Sequence, residues 1–518
     1  MKLKYLKLLT PFRGLPAGFE VEFPEIQNSQ SIEPYCLVGL NGSGKSNLLQ
    51  VLGEIFHYLE RYWEDSITSE KNHPNFGFEI HYDPSSFAKI LPFGKLIKII
   101  KKPHEKPVYQ DISLDKVNNE ERKFEGVTLP NRIIGYSSGM NELLSNPFIK
   151  MDFYYFDEFQ KRTKNKKVFE AIEVNRMFFM DYDSNQMVVL ANFLIESKDD
   201  NTHLNVLNKE LKIKDLHSFS ITIRKKRYDG DAIEFPSELN DAINRLERCA
   251  TCYTTKYEGK IEIVKLDYWV NDATKDAFRA NFRTSFELFR YLYLLRLLNI
   301  HTYTLALRKQ VREAGQEVNL SAIIPKAETS EIVFSIDELS FLKEGVDKPI
   351  YYKNLSDGEH QLLHVLGAII LFDTDGTLFL LDEPETHFNP EWRSKFVSLI
   401  NQAVTEPRKQ EILLSTHSPF IVSDCKPERV FIFENGKYRK PDFNTYGASI
   451  NLISLKVFGK KETIAEGAMN RLRELRTEVE NGIKTVEEAQ KASQEELGDS
   501  VEKMIFMDTI KSISLPNS

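Results

Sequence analysis

The sequence has little cysteine. Four cysteines are spread over 518 residues, too few for a disulfide framework, which predicts a reducing compartment. Two of them form the isolated pair Cys249-Ala-Thr-Cys252. Because no second Cys or His pair lies nearby at ligand spacing, we interpret this pair as two small residues on a helix and not as a zinc site.

Long apolar runs are also absent. The N-terminal segment MKLKYLKLLTPFRG has charges in every apolar stretch, so it lacks the hydrophobic region of a secretory signal. The longest uncharged apolar stretch, QLLHVLGAIILF at 361–372, is too short to cross a bilayer. We therefore expect a cytoplasmic protein without a membrane partner.

Positive charge is not in excess. The formal net charge is −8, with 41% hydrophobic and 28% charged residues, which is typical of a globular protein and excludes one that coats nucleic acid along its whole surface. Basic runs occur at Lys95–Lys102, Arg162–Lys167 and Arg224–Arg227. Acidic residues flank most of them, so we expect solvated faces, the alternative being a groove that follows a phosphate backbone.

The pattern of apolar residues predicts an α/β domain whose halves are separated by a helical insertion. Residues 1–140 form the N-terminal lobe, with antiparallel strands in 76–110. Residues 141–330 are expected to be mostly helical, and 331–460 return to short apolar strands followed by loops or helices. Residues 461–518 are predicted to be a helical tail and a possible docking element for a partner.

Three local patterns refine this division. A single helix is expected over 276–298, its apolar face formed by core aromatics at three- and four-residue spacing. Asn435-Gly436 predicts a type I′ hairpin turn. In the tail, one helix face carries Ala468, Leu472, Leu475 and Val479.

The segment Gly39–Ser46 matches the P-loop (Walker A) pattern G-x-x-x-x-G-K-[ST] without departure. It follows a predicted buried strand, Tyr35–Val38, and precedes a predicted helix, Asn47–Phe56. In such loops backbone amides surround the phosphates, the lysine reaches the β- and γ-phosphates, and the serine hydroxyl ligates Mg²⁺. We therefore predict ATP and Mg²⁺ as cofactors. The predicted contacts are Gly39, Asn41, Gly42, Ser43, Gly44, Lys45, Ser46 and Asn47.

Two further segments place polar side chains at strand ends. In TLFLLDEPE (377–385), Asp382 ends an apolar strand and is placed to hold Mg²⁺ together with Ser46, while Glu383 is placed to polarise the attacking water. In EILLSTHSP (411–419), His417 follows another strand and is predicted to sense the γ-phosphate. Glu383 and His417 are the predicted catalytic residues.

The segment KNLSDGEHQLL (353–363) predicts a helix N-terminus, which favours anions. Ser356, Gly358 and Glu359 lie at its start. The chain thus has two predicted phosphate-binding helix starts, far apart in sequence.

The order of these motifs resembles the ABC-type ATPase heads of the SMC and RecF group. The resemblance implies that Ser356, Gly358 and Glu359 act in trans, capping the γ-phosphate held by the P-loop of a second chain in a head-to-tail homodimer or higher even oligomer. It also implies that Arg13, in TPFRGL, lies near the nucleotide, and that HFNP (387–390) replaces the D-loop.

The glutamine of the Q-loop, another element of these heads, has no clear equivalent. The strand expected to carry it reads RIIGYSSGMNE (132–142) and contains no glutamine. Tyr136, Ser137 and Asn141 are the residues that could replace it.

Other stretches are similar to a narrower branch, the restriction-system-associated ATPases of Septu and retron anti-phage systems. They are LPNRIIGYSSGMNELLSNPF, NRMFFMDYDSNQMVVLANFL, TYGASINLISLKVFG and LGDSVEKM. This resemblance implies a regulator that controls a small HNH-type nuclease, in retron versions together with a reverse transcriptase and its RNA–DNA product. No nuclease signature is found, and 430–518 lacks the clustered acidic residues of a Toprim nuclease, unlike the OLD-type nucleases.

Two alternatives were weighed. A RecF-like DNA-repair ATPase that binds nucleic acid directly remains open and depends on the basic runs. The ATPase half of a transporter does not fit the helical insertion.

Overall fold

The fold was examined in a computed structural model of the chain. The structure describes residues 1–24, 32–63, 74–83, 95–113, 129–139, 143–164, 176–196, 203–225, 235–259, 261–404, 410–460 and 464–513.

The strands and helices follow the chain in this order. The strands are β1 (Lys2–Leu8), β2 (Glu20–Glu22), β3 (Tyr35–Gly39), β4 (Phe78–Asp83), β5 (Lys95–Lys101), β6 (Val108–Ser113), β7 (Arg132–Ser137), β8 (Met177–Phe179), β9 (Ile213–Arg224), β10 (Cys252–Glu258), β11 (Ile261–Trp269), β12 (Phe334–Lys343), β13 (Ile350–Tyr351), β14 (Thr377–Asp382), β15 (Glu411–Thr416), β16 (Val430–Glu434) and β17 (Lys437–Arg439). The helices are α1 (Lys45–Trp63), α2 (Asn146–Lys164), α3 (Tyr182–Ile195), α4 (Leu204–Leu211), α5 (Ser237–Cys249), α6 (Asp272–Asn281), α7 (Ser285–Leu297), α8 (Leu305–Glu313), α9 (Leu320–Ile323), α10 (Asp357–Leu371), α11 (Pro390–Gln402), α12 (Pro419–Ser423), α13 (Ile450–Phe458), α14 (Glu466–Glu480), α15 (Val486–Glu496) and α16 (Val501–Ile513).

A seven-stranded sheet forms the centre, in the order β17-β16-β3-β15-β14-β7-β8. Its strands are parallel except for the edge strand β17. Every residue of β14 is buried, because Leu378 and Leu380 face one hydrophobic core while Phe379 and Leu381 face another. A strand covered on both faces reads as a continuous apolar run, which is why the sequence reveals it.

Two antiparallel sheets flank this centre. The N-terminal one, β2-β1-β4-β5-β6, includes the predicted strands of residues 76–110. The other has the order β10-β11-β9-β12-β13. Three of its five strands, β9, β10 and β11, lie in the insertion that we expected to be mostly helical. The insertion is therefore a mixture of helices α2–α9 and a substantial sheet.

The predicted helix over 276–298 is two helices. Helix α6 ends at Asn281, and α7 begins after Thr284, whose side chain accepts a hydrogen bond from the Glu287 N–H as an N-cap. A threonine that caps a new helix competes with continuation of the preceding one. Phe278 and Phe282 are nevertheless buried, as core aromatics should be.

The paired cysteines do not share a helix, contrary to our interpretation. Cys249 is buried at the end of α5, whereas Cys252 is exposed at the start of β10. Within the described ranges, no group of His, Cys, Asp and Glu side chains is arranged to hold a metal ion by itself.

The tail helices α14, α15 and α16 have a hydrophobic core of their own. Leu472, Leu475 and Val479 are buried in it, as their spacing predicts, together with Phe506 and Ile510. Among the helices that the structure describes, none is both long and apolar enough to cross a membrane.

Candidate nucleotide-binding site

The P-loop connects the end of β3 to the start of α1. Gly39, Gly42 and Gly44 have φ values of +146°, +75° and +109°, a region that side chains rarely adopt. A Cβ on Gly39 would lie 2.4 Å from the Phe433 carbonyl oxygen. Backbone conformation therefore favours glycine at all three positions, and at Gly39 space requires it as well.

Lys45 is buried at the first position of α1. Its Nζ donates to the carbonyl oxygens of Gly39 and Leu40 at 3.0 and 3.1 Å and lies 3.0 Å from His417 Nε2. Burial lowers the pKa of the Lys45 ammonium, while Glu383 and Asp382 oppose this shift. A buried cation held by carbonyl oxygens is well placed to exchange them for phosphate oxygens.

Ser46 and Asp382 meet although they are far apart in sequence. Ser46 Oγ donates to Asp382 Oδ1 at 2.7 Å, and Ser415 Oγ donates to the same oxygen at 2.5 Å. The pairing of β14 with β15 sets Asp382 opposite Ser415, so both lie at the carboxyl edge of the sheet. A carboxylate beside a serine hydroxyl is a donor set that suits Mg²⁺.

Glu383 follows Asp382 with a positive φ of +51°. Its N–H donates to Ser415, to the backbone oxygen at 3.2 Å and to Oγ at 3.1 Å. Glu383 Oε1 lies 3.1 Å from His417 Nε2, and this hydrogen bond is the main reason why the pKa of Glu383 is lowered. The carboxylate is therefore ionised, as a base that polarises water must be.

The hairpin turn between β16 and β17 supports the P-loop. Asn435 and Gly436 have φ values of +50° and +73°, which fits the predicted turn. The Gly436 N–H donates to the Ser43 carbonyl oxygen at 2.9 Å, and a Cβ on Gly436 would lie 2.2 Å from Gly14 O. Ser43 Oγ itself is buried and has no hydrogen-bond partner among the described residues, which fits a donor directed at a ligand.

Glu385 is a buried carboxyl group that sequence reasoning missed. It is 4% exposed, and its Oε1 accepts a hydrogen bond from Thr416 Oγ1. Burial raises the pKa of Glu385 to about 7. Its place in DEPE, two residues after Glu383, is a signal that could have suggested a role.

Helix α10 begins with a reciprocal cap. Ser356 Oγ accepts from the Glu359 N–H at 3.4 Å, and Glu359 Oε2 accepts from the Ser356 N–H at 2.8 Å. Burial opposes ionisation of Glu359, but hydrogen bonds from Lys343 and Ser356 outweigh it and lower the pKa of Glu359. Ser356 is exposed, so its helix start faces solvent.

Gly358 packs against the segment 387–390. A Cβ on Gly358 would lie 2.8 Å from the His387 carbonyl oxygen and 3.4 Å from the Trp392 ring. The glycine is thus required within its own chain, whatever it does in trans. The start of α10 and residues 387–390 are therefore in contact. Their roles were assigned from the sequence only by the family resemblance.

Gln361 is a second residue that sequence reasoning missed. It is 2% exposed; its Nε2 donates to the Glu383 carbonyl oxygen at 3.4 Å, and its Oε1 accepts from the His387 N–H at 2.8 Å. It also makes a side-chain hydrogen bond with Tyr136. A glutamine five residues after the N-cap Ser356 therefore connects α10 to the loop that carries Glu383.

The remaining predicted residues are placed as follows. Asn41 is exposed in the P-loop and Asn47 is half-buried in α1. Arg13 Nη2 donates to the Gln316 carbonyl oxygen at 2.5 Å, so its guanidinium is held by the segment after α8. Ser137 lies opposite Asp382 in the β14–β7 pair, and Asn141 lies outside the described residues.

Two side chains of the third basic run are held by contacts within the chain. Arg224 Nη1 donates to the Ile332 carbonyl oxygen at 2.9 Å, and Lys225 pairs with Glu262 at 3.1 Å. Residues 226–227 and 165–167 lie outside the described ranges.

Comparison with known protein families gives a match to part of the chain. Residues 218–423 match the family described as AAA domain, putative AbiEii toxin, Type IV TA system; this is less than half of the chain and contains α10, Asp382, Glu383 and His417. Residues 218–423 are therefore similar to an AAA domain. Together with the P-loop and the parallel sheet, this similarity agrees with the predicted α/β fold of an ABC-type ATPase head.

Two individual proteins are similar at lower levels. Protein ea59 of Escherichia phage lambda is 24% identical over 156 residues, which cover 28% of this chain and 29% of that protein. The matched region thus spans less than a third of that relative. The crystal structure of the SmcHead bound to the C-winged helix domain of ScpA aligns with 86% of this chain and 98% of its own, with 10% identity and a TM-score of 0.34. At that TM-score the similarity supports no conclusion about this chain.

Proposed function

We propose that the chain is an ATP-binding and ATP-hydrolysing regulatory subunit of a bacterial anti-phage defence system, Septu-like or retron-associated, that controls a partner HNH-type nuclease. The observation that carries the ATPase part is the convergence of Lys45, Ser46, Asp382, Glu383 and His417 at one edge of a parallel sheet. Parallel α/β sheets bind ligands at this edge.

Each of these residues has a distinct role. Lys45 neutralises phosphate charge, and Ser46 with Asp382 holds Mg²⁺, which when bound offsets the charge that develops on the transferred phosphoryl group. Glu383 accepts a hydrogen bond from the attacking water and polarises it. His417 orients Glu383 through the hydrogen bond to Oε1.

Dimerisation through composite ATP sites rests on the start of α10. Its exposed Ser356 lies at the N-terminus of a 15-residue helix, where the helix dipole favours an anion. The Ser356 Oγ donates to Glu359 Oε2 at 2.9 Å, and the Glu359 carboxylate also pairs with Lys343. A second chain placed head to tail supplies the γ-phosphate that this helix start caps.

Control of a partner fits the tail. Helices α14–α16 pack around a separate small core, yet Val501, Met504 and Ile505 are 57%, 69% and 60% exposed on α16. Apolar side chains at this spacing form one face, which suits the docking of a nuclease subunit.

The experiment that tests the proposal is a native pull-down of tagged Glu383→Gln protein from its own host with Mg²⁺-ATP. Co-purified proteins and nucleic acids are identified together. A small HNH protein, with or without a reverse transcriptase and its RNA–DNA product, supports the defence role and identifies the subtype. Bulk chromosomal DNA without a nuclease would contradict it and favour a DNA-repair ATPase.

A further inference from the structure

A cavity lies against the later turns of α1, away from the P-loop. Its volume is about 550 Å³, within the range of pockets that bind small molecules. Its walls come from α1, residues 74–76 before β4, α2, and residues 312–316 at the end of α8 and beyond. The residues that line it include none of Gly39–Ser46 and neither Asp382 nor Glu383.

Three buried polar side chains meet at this cavity. Glu54 and His57 of α1 are each 6% exposed, and Lys150 of α2 is 3% exposed. Lys150 Nζ lies 3.5 Å from Glu54 Oε1, and His57 Nδ1 lies 3.8 Å from Glu54 Oε2. Both distances exceed the length of about 2.7–2.9 Å typical of a charge-assisted hydrogen bond.

His57 has hydrogen-bonding capacity left over. In the described part of the chain its buried Nε2 has no hydrogen-bond partner, whereas buried polar atoms in native proteins nearly always have one. Burial, followed by the positive charges of Lys150 and Arg61, lowers the pKa of His57 well below its usual value. The ring is therefore neutral. If its Nδ1 proton is directed at Glu54, Nε2 is an acceptor for a ligand donor.

The charge of the walls favours an anion. The charged side chains that line the cavity are Arg61, Lys150, Arg312, Glu54 and Glu313. Three cations and two carboxylates leave an excess of one positive charge on the walls, and of the two carboxylates Glu313 is exposed to solvent. The guanidinium of Arg312 is held by Asp157 at 3.1 Å, which fixes it on the wall. Planar guanidinium groups beside an ammonium are typical of phosphate recognition.

We propose that this cavity binds a small phosphate-bearing molecule of nucleotide size, at a site separate from the P-loop. Lys150, Arg61 and Arg312 hold the phosphate, and His57 Nε2 accepts a hydrogen bond from a hydroxyl or amino group of the ligand. The rings of Tyr58 and Phe76, which also line the cavity, supply the apolar wall against which a base packs.

The site is joined to the P-loop through shared elements. Helix α1 carries Lys45 and Ser46 in its first turn and His57 and Arg61 in its later turns. Gln316 lines the cavity and accepts the hydrogen bond of Arg13. Arg13 thus supports one wall of the cavity, while its predicted position near the nucleotide stays a prediction.

The test uses full-length Lys45→Ala protein, in which the P-loop no longer binds nucleotide, and titrates it with AMP and with inorganic phosphate by calorimetry. We expect AMP to bind. In this background Lys150→Met and Arg312→Gln should each weaken AMP at least about tenfold, because each removes a charge-assisted hydrogen bond. Glu313→Gln is the matched control: it changes a lining residue but removes negative charge, so AMP affinity should be kept or increased.

The outcomes separate clearly. Binding of AMP supports the site. An affinity for inorganic phosphate equal to that for AMP shows that phosphate alone is recognised, and a weaker affinity shows that the rest of the nucleotide contributes. Failure of both probes at millimolar concentration overturns the proposal, as does unchanged affinity in both cation variants. Thermal unfolding of each variant shows that it is folded, and Arg312→Lys, which keeps the charge, provides a second variant if Arg312→Gln does not fold. ATP binding by wild-type protein tests the P-loop site independently.

Discussion

Glu383 Oε1 and His417 Nε2 lie 3.1 Å apart, and the same Nε2 lies 3.0 Å from Lys45 Nζ. One imidazole nitrogen cannot donate to a carboxylate and accept from an ammonium at the same time. Only one of the two hydrogen bonds can therefore be made at a time. If Lys45 binds a phosphate as proposed, Nε2 becomes free to carry a proton and donate to Glu383, which would link nucleotide binding to the orientation of the base.

Glu383→Gln should bind ATP but hydrolyse it poorly. The amide keeps the size of the carboxylate and loses its basicity, and removal of a general base typically lowers the rate about 100-fold or more. Phosphate release and nucleotide affinity measured on the same sample separate the two effects. Glu434→Gln, an exposed glutamate on β16, is the control. Hydrolysis by Glu383→Gln within a few-fold of wild type would rule out this role.

Glu385→Gln should stabilise the fold at high pH. The pKa of Glu385 is raised from 4.5 to about 7, so the folded state holds its proton more tightly than the unfolded state does. The contribution of Glu385 to the wild-type free energy of unfolding is therefore greatest below pH 4.5. It falls by up to roughly 3 kcal/mol as the pH rises to about 7. The amide does not ionise and can still pair with Thr416. Urea unfolding at pH 5 and pH 8 tests this, and an equal difference between the two proteins at both pH values would contradict it.

The meeting of the polar side chains that follow the strands was predictable from the sequence, because parallel strands bring their carboxyl ends to one edge of the sheet. Lys45, Ser46, Asp382, Glu383 and His417 meet for this reason, and their contacts follow from strand register. Each is also marked by a short motif with a known physical role.

Side chains that act through tertiary contacts were not predictable. Gln361 and Glu385 gain their roles from what packs against them, and nothing in local periodicity reveals those neighbours. Strand β10 of the insertion was missed because it is exposed along its whole length, so it lacks the alternation of a half-buried strand. The break at Thr284 was missed because the aromatic residues on both sides of it keep a helical spacing.

Gln361→Leu should uncouple binding from hydrolysis. It removes the bonds to Glu383 O and the His387 N–H, which should lower the free energy of unfolding by about 1–3 kcal/mol. Because the loop that carries Glu383 loses its support, kcat should fall while KM stays near wild type. If a smaller fraction of folded protein, measured by nucleotide-binding stoichiometry, accounts for the whole loss of activity, then the role of Gln361 is merely structural. Gln402→Leu, at an exposed position of α11, is the control.

Deletion of 461–518 should remove the partner and leave nucleotide binding intact. The core of α14–α16 is separate from those of the sheets, so the rest of the chain does not depend on it for packing. Met504→Lys, on the exposed face of α16, should weaken partner capture without the deletion. A truncated protein that still holds its partner would contradict docking on the tail.

Mixing two inactive variants tests whether Ser356 acts in trans. Ser356→Arg blocks the exposed helix start and Lys45→Ala removes the P-loop cation, so each should hydrolyse ATP poorly alone. A mixed dimer keeps one composite site with an intact lysine and an intact serine. Equal amounts that exchange freely should therefore recover about a quarter of wild-type activity.

The controls for this experiment come from the same position. Ser356→Ala loses the helix cap, which costs about 1 kcal/mol, but adds no bulk, so it shows how much of the Ser356→Arg defect arises from the cap. Stoichiometric mixing is followed by phosphate release after dimer exchange. Activity no greater than the sum of the separate variants would show that Ser356 serves its own chain, and the second phosphate-binding helix start would then have to be explained by its packing against HFNP alone.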